Sequence, residues 1–385
     1  MREYLLVFLV AAAVTYLLTV IAREIALRSG AVAGVRDRDV HDEPVPYLGG
    51  LAMYGGLIAA YLVARELPFL SGSQEFVFND ARNVLIAGGV LCAVGVVDDI
   101  LELDALTKLG AQIIAAGLLV WFGIQYNFFV LPDGLLIGLT PDQSTLLTVF
   151  AVVATVNAVN FVDGLDGLAA GVVGIGATAF FVFCYQLANL DQLTLAITGA
   201  LLSAALAGVC VGFLPHNFHP ARIFMGDSGS MLLGLVLTAS AVSLTGQFDP
   251  AVFVQDNTVA GLRWMGLLMP VSIPIAILIV PLMDLGLAVV RRTRRGQLFF
   301  QPDKQHLHHR LLEIGHSHRR AVLVMWTWAG LVGYGTVIAS LYGGTRTWWT
   351  LLAMVVVTLV ATVVIPIIHR PNHPVEPEPA EAAPH

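Results

Sequence analysis

Apolar residues are gathered into eleven runs, at 4–23, 49–65, 83–97, 108–124, 144–158, 167–189, 193–213, 230–246, 263–290, 321–341 and 347–368. A helix needs roughly 20 apolar residues to cross about 30 Å of hydrocarbon. Runs of this kind, repeated from end to end, predict an all-α polytopic membrane protein with about eleven transmembrane helices. The third and fifth runs are the shortest. Polar residues collect in five segments between runs: "RDRDVHDEPVPYLGG" after the first, "GVVDDILELDALTK" after the third, "NAVNFVDGLDGL" after the fifth, "FMGDSGS" after the seventh and "QPDKQHLHHRLLEIGHSHRR" after the ninth. All five follow odd-numbered runs, so all five fall on one side of the membrane. The opposite connections, such as "LPDGLLIGLTPDQS" (131–144), carry nothing comparable. Loops that only joined helices would show no such asymmetry, and the five segments read as walls of one site.

Composition sharpens the class. The chain has 385 residues, 57% hydrophobic and 12% charged, which excludes an ordinary soluble domain. Cys92, Cys184 and Cys210 lie inside apolar runs without the spacing of a disulfide framework or a zinc site, so they read as small buried hydrophobes. The first run has a basic Arg2 but no small-residue cleavage site after it, and Arg23 and Arg28 flank its far end, which predicts a retained helix. Residues 1–370 form one transmembrane domain in this reading. The tail 371–385, "PNHPVEPEPAEAAPH", is too rich in Pro and Glu to fold. With the N-terminus outside, the cytosolic side receives Arg23, Arg28, Arg36, Arg38, Lys108, Arg222, the "RRTRRG" arginines (291–296), Lys304, Arg310, Arg319, Arg320 and Arg370. Only Arg2, Arg65, Arg82, Arg263 and Arg346 stay outside, so the positive-inside rule places the five polar segments in the cytosol.

The chemistry of these segments follows from their residue types. Asp98 and Asp99 end a span, and neighbours on a helix diverge by about 100°. One can meet a metal or a proton-bearing substrate while the other caps a helix or pairs with Lys108. Asn157, Asn160 and Asp163 recur at i, i+3 and i+6 on nearly one helical face, with Asp166 a further step on and Gly164 and Gly167 able to break the helix. Oxygen ligands alone suit Mg²⁺ or Mn²⁺ rather than zinc. "GDSG" (226–229) raises the question of a Ser228 nucleophile, as in serine proteases, but that needs a scaffold holding a His and an Asp, which nothing here supplies. Asp227, at the mouth of a span, is the better candidate as a hard-metal ligand, and Ser228 is expected to cap the following helix. His306, His308, His309 and Arg310 stand beside Lys304, where cations are repelled and phosphate is attracted. Pro270, Pro274 and Pro281 predict a bent ninth span that opens a cleft to lipid, and Asp284 near its end is as readily an ion-pair partner of Arg291 as a functional group.

Carboxylates for a hard cation, basic segments for phosphates and access from the bilayer point to phosphoryl chemistry on an amphiphile. "HDEPVPYLGG", "VVDD" with Lys108, "NAVNFVDGLDGL", "GDSGSM" and "HLHHRL" closely resemble the polyprenyl-phosphate N-acetylhexosamine-1-phosphate transferases, in order from span two to span ten. Within that family the chain is similar to the WecA/TagO branch, and it lacks the His-His-His-Phe-Glu sequence of the branch that uses UDP-MurNAc-pentapeptide. The resemblance implies a multi-pass enzyme of the bacterial plasma membrane that moves GlcNAc-1-phosphate from UDP-GlcNAc to a polyprenyl phosphate and releases UMP. This is the first lipid-linked step of cell-envelope polysaccharide synthesis. It implies Mg²⁺ held by Asp227 and Asn160, Asp98 deprotonating or positioning the lipid phosphate, Asp99 as a further catalytic residue, Asp163 and Asp166 ordering the nucleotide-sugar site, and Lys108, Asn157 and the His306–Arg310 segment contacting substrate. Direct attack and an Asp adduct both remain open at this stage. A homodimer is expected, and no nucleic-acid partner. Two other classes are weighed. A UbiA-type prenyltransferase would carry an "NDxxDxxxD" pattern, absent here, and an ion-coupled transporter would place its acids at mid-span within an internal repeat.

Overall fold

The structure is a computed structural model, and it describes residues 1–30, 32, 45–73, 75–130, 136–190, 196–246, 318–342 and 345–368. The elements are α1 (Arg2–Ser29), α2 (Gly49–Ala64), α3 (Pro68–Ser71), α4 (Glu75–Leu101), α5 (Ala105–Trp121), β1 (Phe128–Val130), β2 (Leu136–Gly138), α6 (Pro141–Val162), α7 (Leu168–Leu190), α8 (Ala196–Asn217), α9 (Gly226–Gly246), α10 (His318–Tyr342) and α11 (Thr345–Ile368). Ten of the eleven expected spans thus coincide with helices. The ninth run, with Pro270, Pro274, Pro281 and Asp284, lies outside the described residues, as do the His306–Arg310 segment and the tail.

Seven of these helices are long and apolar enough to cross a membrane: α1, α4, α6, α7, α8, α9 and α10. The shortness seen in the third and fifth runs does not carry into the helices. α4 and α6 extend through polar ends to 27 and 22 residues, whereas α2 and α5 are the short ones, at 16 and 17. Helices continue past an apolar run when caps and neighbouring helices satisfy the added polar residues. Asp104 caps α5 by accepting from Leu106 N and Thr107 N, and Thr140 and Gln143 form a reciprocal capping box at α6.

α8 packs against α1 and α7, α9 packs against α4 and α6, and the two central helices meet each other. Their burial follows from small residues that let backbones approach closely, since lipid gives no hydrophobic drive between helices. A Cβ on Gly212 of α8, for example, would come within 2.2 Å of the Ala12 carbonyl oxygen of α1. Buried hydroxyls return their protons to carbonyls of the preceding turn, as Thr19 does to Thr15 O, Thr148 to Ser144 O, Ser203 to Gly199 O and Thr238 to Gly234 O. The outer helices expose Leu9, Leu17 and Ile21 on α1, Ile113 and Ile114 on α5, Phe150 on α6 and Val357 on α11. Such a surface is stable against lipid and not against water. The protein is a multi-pass membrane protein. Trp121, Tyr342, Trp348 and Trp349 stand exposed at span ends, where amphipathic rings settle at the interface. The free, buried Cys92, Cys184 and Cys210 occupy the core as expected. Two local elements were not legible in the sequence: α3, whose Phe69 N and Leu70 N both donate to Glu3 at 2.8 Å, and the antiparallel β1–β2 hairpin, which pairs Phe129 with Ile137.

Candidate active site

All five polar segments have described residues at one end of the bundle, the fifth only in its last three, and backbone hydrogen bonds tie the first to the fourth. Phe224 N donates to Pro46 O at 2.9 Å, Gly49 N to Phe224 O at 3.1 Å and Gly50 N to Met225 O at 3.0 Å. The described end of "HDEPVPYLGG" therefore lies along the strand-like approach to α9. Contact is so close that a Cβ on Gly50 would meet Gly229 N at 2.2 Å, and one on Gly95 of α4 would meet Ser228 Cα at 2.4 Å. These two glycines let α2 and α4 grip the first turn of α9, the turn that carries Asp227.

Asp98 and Asp99 divide their labour as the helical angle requires. Asp98, 6% exposed, accepts from Leu103 N at 2.8 Å and pairs with Lys108 Nζ at 2.6 Å. Asp99 faces α9 instead. Its carboxylate accepts from Asp227 N at 2.7 Å, Ser228 N at 3.3 Å and Ser228 Oγ at 2.8 Å. An anion at a helix N-terminus satisfies orphan N–H groups and opposes the positive end of the dipole. Ser228 is thus not the cap that the sequence led one to expect: it is fully buried inside the first turn, and the cap is supplied from α4 by Asp99. The same contact explains Gly226, whose φ is 69° and whose Cβ would fall 2.3 Å from Asp99 Oδ2.

Asp227 is the junction. Its Oδ2 receives Lys108 Nζ at 2.9 Å, and its Oδ1 receives Asn160 Nδ2 at 2.7 Å. Asn160 Nδ2 also donates to Ser230 Oγ at 2.9 Å, so the amide meets Asp227 through nitrogen. To ligate a cation beside Asp227 it has to turn and offer Oδ1. Asp98, Asp99 and Asp227 present carboxylate oxygens within 4.8 Å of one another. Three carboxylates against one ammonium leave a negative cluster of hard oxygen donors, and that donor chemistry fits Mg²⁺ or Mn²⁺.

Asn157, Asn160 and Asp163 take different partners. Asn157 donates to Gln112 Oε1 at 2.6 Å and to Val153 O at 2.8 Å, which makes it a link between α6 and α5 one turn away from Lys108. Asp163 ends α6 as its C-cap. Asp166, 4% exposed, turns away from the carboxylate cluster to accept from Ala221 N at 3.0 Å and to pair with His219 Nδ1 at 2.8 Å. His219 stacks on His318 at 4.3 Å between centroids, and its carbonyl accepts from Arg319 Nε at 3.2 Å. This pins the 163–167 loop, the 217–222 turn and the start of α10 together. The trio braces these segments, and its carboxylate and ring nitrogens also lie within 4.8 Å of one another, the spacing of a second group of cation donors. Sequence reasoning missed Gln112, Ser230, Asn217 and His219. Gln112 had a signal, being a polar residue one turn after Lys108 in an apolar run. Asn217, which accepts from Gly167 N and donates to Ile223 O, had none.

Desolvation, then the charges of Asp227, Asp99 and Asp166, hold the Asp163 carboxyl well above the usual carboxylate range. An acid whose pKa is raised by folding resists ionisation in the folded chain. It leaves stability untouched below its unfolded pKa, about 4, and lowers it as pH rises from there toward the folded value. In chelator, Asp163→Asn is therefore expected to unfold at the wild-type temperature near pH 4 and at a higher one at pH 8. Thermal scans at the two pH values check this, and a variant that loses stability relative to wild type at pH 8 contradicts it.

Charged groups gathered at one end of a bundle whose flanks face lipid define a membrane-embedded enzyme that works at the bilayer surface. Residues 82–245, which hold the whole Asp98–Asp227 cluster, match the Glycosyl transferase family 4 model. The chain is 44% identical over 382 residues to the decaprenyl-phosphate N-acetylglucosaminephosphotransferase of Mycobacterium tuberculosis, covering 98% of this chain and 92% of that one. It is 45% identical to the Mycobacterium leprae protein of the same name, covering 96% and 92%, and 32% identical to a probable undecaprenyl-phosphate N-acetylglucosaminyl 1-phosphate transferase of Bacillus subtilis, covering 94% and 90%. This chain belongs to Glycosyl transferase family 4.

Proposed function

We propose that this protein transfers GlcNAc-1-phosphate from UDP-GlcNAc to a membrane polyprenyl phosphate, giving polyprenyl-diphosphate-GlcNAc and UMP, with its polar end in the cytoplasm. The observation that carries this reading is Lys108, held at once by Asp98 and Asp227 at 2.6 and 2.9 Å at the ends of membrane-spanning helices, the depth at which a lipid phosphate arrives. The names of the relatives support the same donor sugar and acceptor class.

An oxygen of the acceptor phosphate attacks the phosphorus that bears the sugar. The bond from that phosphorus to the oxygen bridging to the uridine phosphate breaks, and UMP leaves with the electron pair. Lys108 draws in the acceptor phosphate, and Asp98 takes its proton or orients it. Asp227, with Asn160 turned, would hold Mg²⁺, which supplies charge neutralisation on the pyrophosphate. The braced loop of Asp163 and Asp166 shapes the nucleotide-sugar side, and the His306–Arg310 segment contacts its phosphates or sugar.

The test is UMP release by the purified chain from UDP-GlcNAc and decaprenyl phosphate with Mg²⁺, with other UDP-sugars and prenyl diphosphates as controls. Release of pyrophosphate from a prenyl diphosphate, with no UMP formed from UDP-GlcNAc, would favour a prenyltransferase. On this reading Asp98→Asn lowers the maximal rate and keeps UDP-GlcNAc binding in calorimetry, the sign of a lost transition-state interaction, while His308→Ala and Arg310→Ala weaken binding itself. The reverse pattern would exchange the two sides of the site. For orientation, Gly138→Cys and Asp303→Cys in a Cys-free background should label from opposite sides, the second from the cytosol; labelling of both from outside overturns it.

A further inference from the structure

A groove of about 740 Å³ runs beside the last two turns of α1, shares no lining residue with the carboxylate cluster, and is lined by Val20, Ile21, Arg23, Glu24, Ile25, Arg28, His216 and Arg222. Three guanidiniums face one carboxylate there, and that carboxylate, Glu24, already pairs with Arg28 at 2.8 Å. Arg23 Nε donates to the Arg222 carbonyl at 3.1 Å, which ties the end of α1 to the 216–222 turn beside the groove. His216 forms the floor, packed against the Tyr16 ring at 4.6 Å. It is 9% exposed, and its Nε2 has no hydrogen-bond partner among the described residues.

The other wall is apolar. Val20, Ile21 and Ile25 are each about half exposed, and Ile21, Ile25 and Arg28 follow one another at helical spacing, so the stripe passes from hydrocarbon to cation within two turns. A water-soluble anion has no use for that wall. A phosphodiester whose first acyl carbons lie on the isoleucines matches both halves. We propose that this groove binds the phosphate headgroup of an anionic membrane phospholipid, with Arg23, Arg28 and Arg222 holding the phosphate above the His216 ring. Such a lipid would fasten the end of α1 to the 216–222 turn.

The test uses the purified full chain in micelles, titrated with dioleoyl phosphatidylglycerol or dioleoyl phosphatidylcholine, with retained lipid counted by native mass spectrometry. Phosphatidylglycerol is expected to be retained in preference. An arginine at the membrane surface contributes roughly a fivefold factor in anionic-lipid affinity, so Arg23→Gln and Arg222→Gln should each weaken retention by about that much. Glu24→Gln, which frees Arg28, should strengthen it. The opposite sign of the last variant separates a specific site from damage to the fold. Equal retention of both lipids, no gain in Glu24→Gln, an equal loss in Arg320→Gln on α10, or displacement by inorganic phosphate at matched concentration would each overturn the proposal.

Discussion

Asp227→Asn is expected to lower turnover by about a hundredfold or more while the protein still folds, whereas Ser228→Ala keeps most of its activity. Among the described residues Asp227 is the one carboxylate that meets both Lys108 and Asn160, through different oxygens. The amide replacement keeps the shape and one acceptor, but it removes the charge that balances Lys108 and would bind a hard cation. Losing one preorganised electrostatic group of this kind commonly costs about 3 kcal/mol at the transition state. Ser228 Oγ is spent on Asp99 Oδ2 and Met225 O inside the helix turn. Its removal leaves the Asp99 carboxylate with the backbone donors of Asp227 and Ser228, so the cost falls on stability, about 1.5–3 kcal/mol for a hydrogen bond to a charged group. UMP release and thermal unfolding of the two variants separate these outcomes. Wild-type turnover and Mg²⁺ dependence in Asp227→Asn, with none in Ser228→Ala, would reopen the nucleophile reading.

Gly95→Ala should be nearly as damaging, although it touches no charged group. A Cβ there would stand 2.4 Å from Ser228 Cα, 2.5 Å from Ser228 N and 2.7 Å from the Asp227 carbonyl carbon. All three neighbours are backbone atoms, which cannot rotate aside as a side chain can. Either α4 and α9 separate or the first turn of α9 shifts. Overpacking of this sort costs typically 1–3 kcal/mol, and a displacement near 1 Å between reacting groups costs on the order of a hundredfold in rate. Gly117→Ala on α5, the helix that carries Lys108, meets nothing within 4 Å and serves as the control, with activity unchanged. A Gly95→Ala protein with wild-type rate and melting temperature would show that α4 and α9 do not need this approach.

Much of the candidate site was legible in the chain order of its motifs. Asp98, Lys108, Asn160 and Asp227 were each marked by a charge or amide at the end of an apolar run, because placing such a group at a membrane boundary is costly without a role. Their pairing was not legible. Lys108 and Asp227 are 119 residues apart, and Asp99 and Ser228 are 129 apart. A motif read within one segment therefore misassigned the cap of α9 to its own serine, when the cap comes from the neighbouring helix. The partners of the α6 amides were not legible either: Asn157 meets Gln112 of α5, and Asn160 meets Asp227 and Ser230 of α9.

By itself the sequence determined the helical class, ten spans that coincide with described helices, the membrane setting and the gathering of polar chemistry on one side. These follow from the length and apolarity of local runs, which fix backbone hydrogen bonding within each segment whatever its neighbours do. The tertiary structure decided which carboxylate pairs with Lys108 and which caps α9, which glycines admit a neighbouring backbone, and that His219, Asp166 and His318 form a brace. Those outcomes depend on distances between helices, which small residues and buried polar pairs set only after the spans pack together.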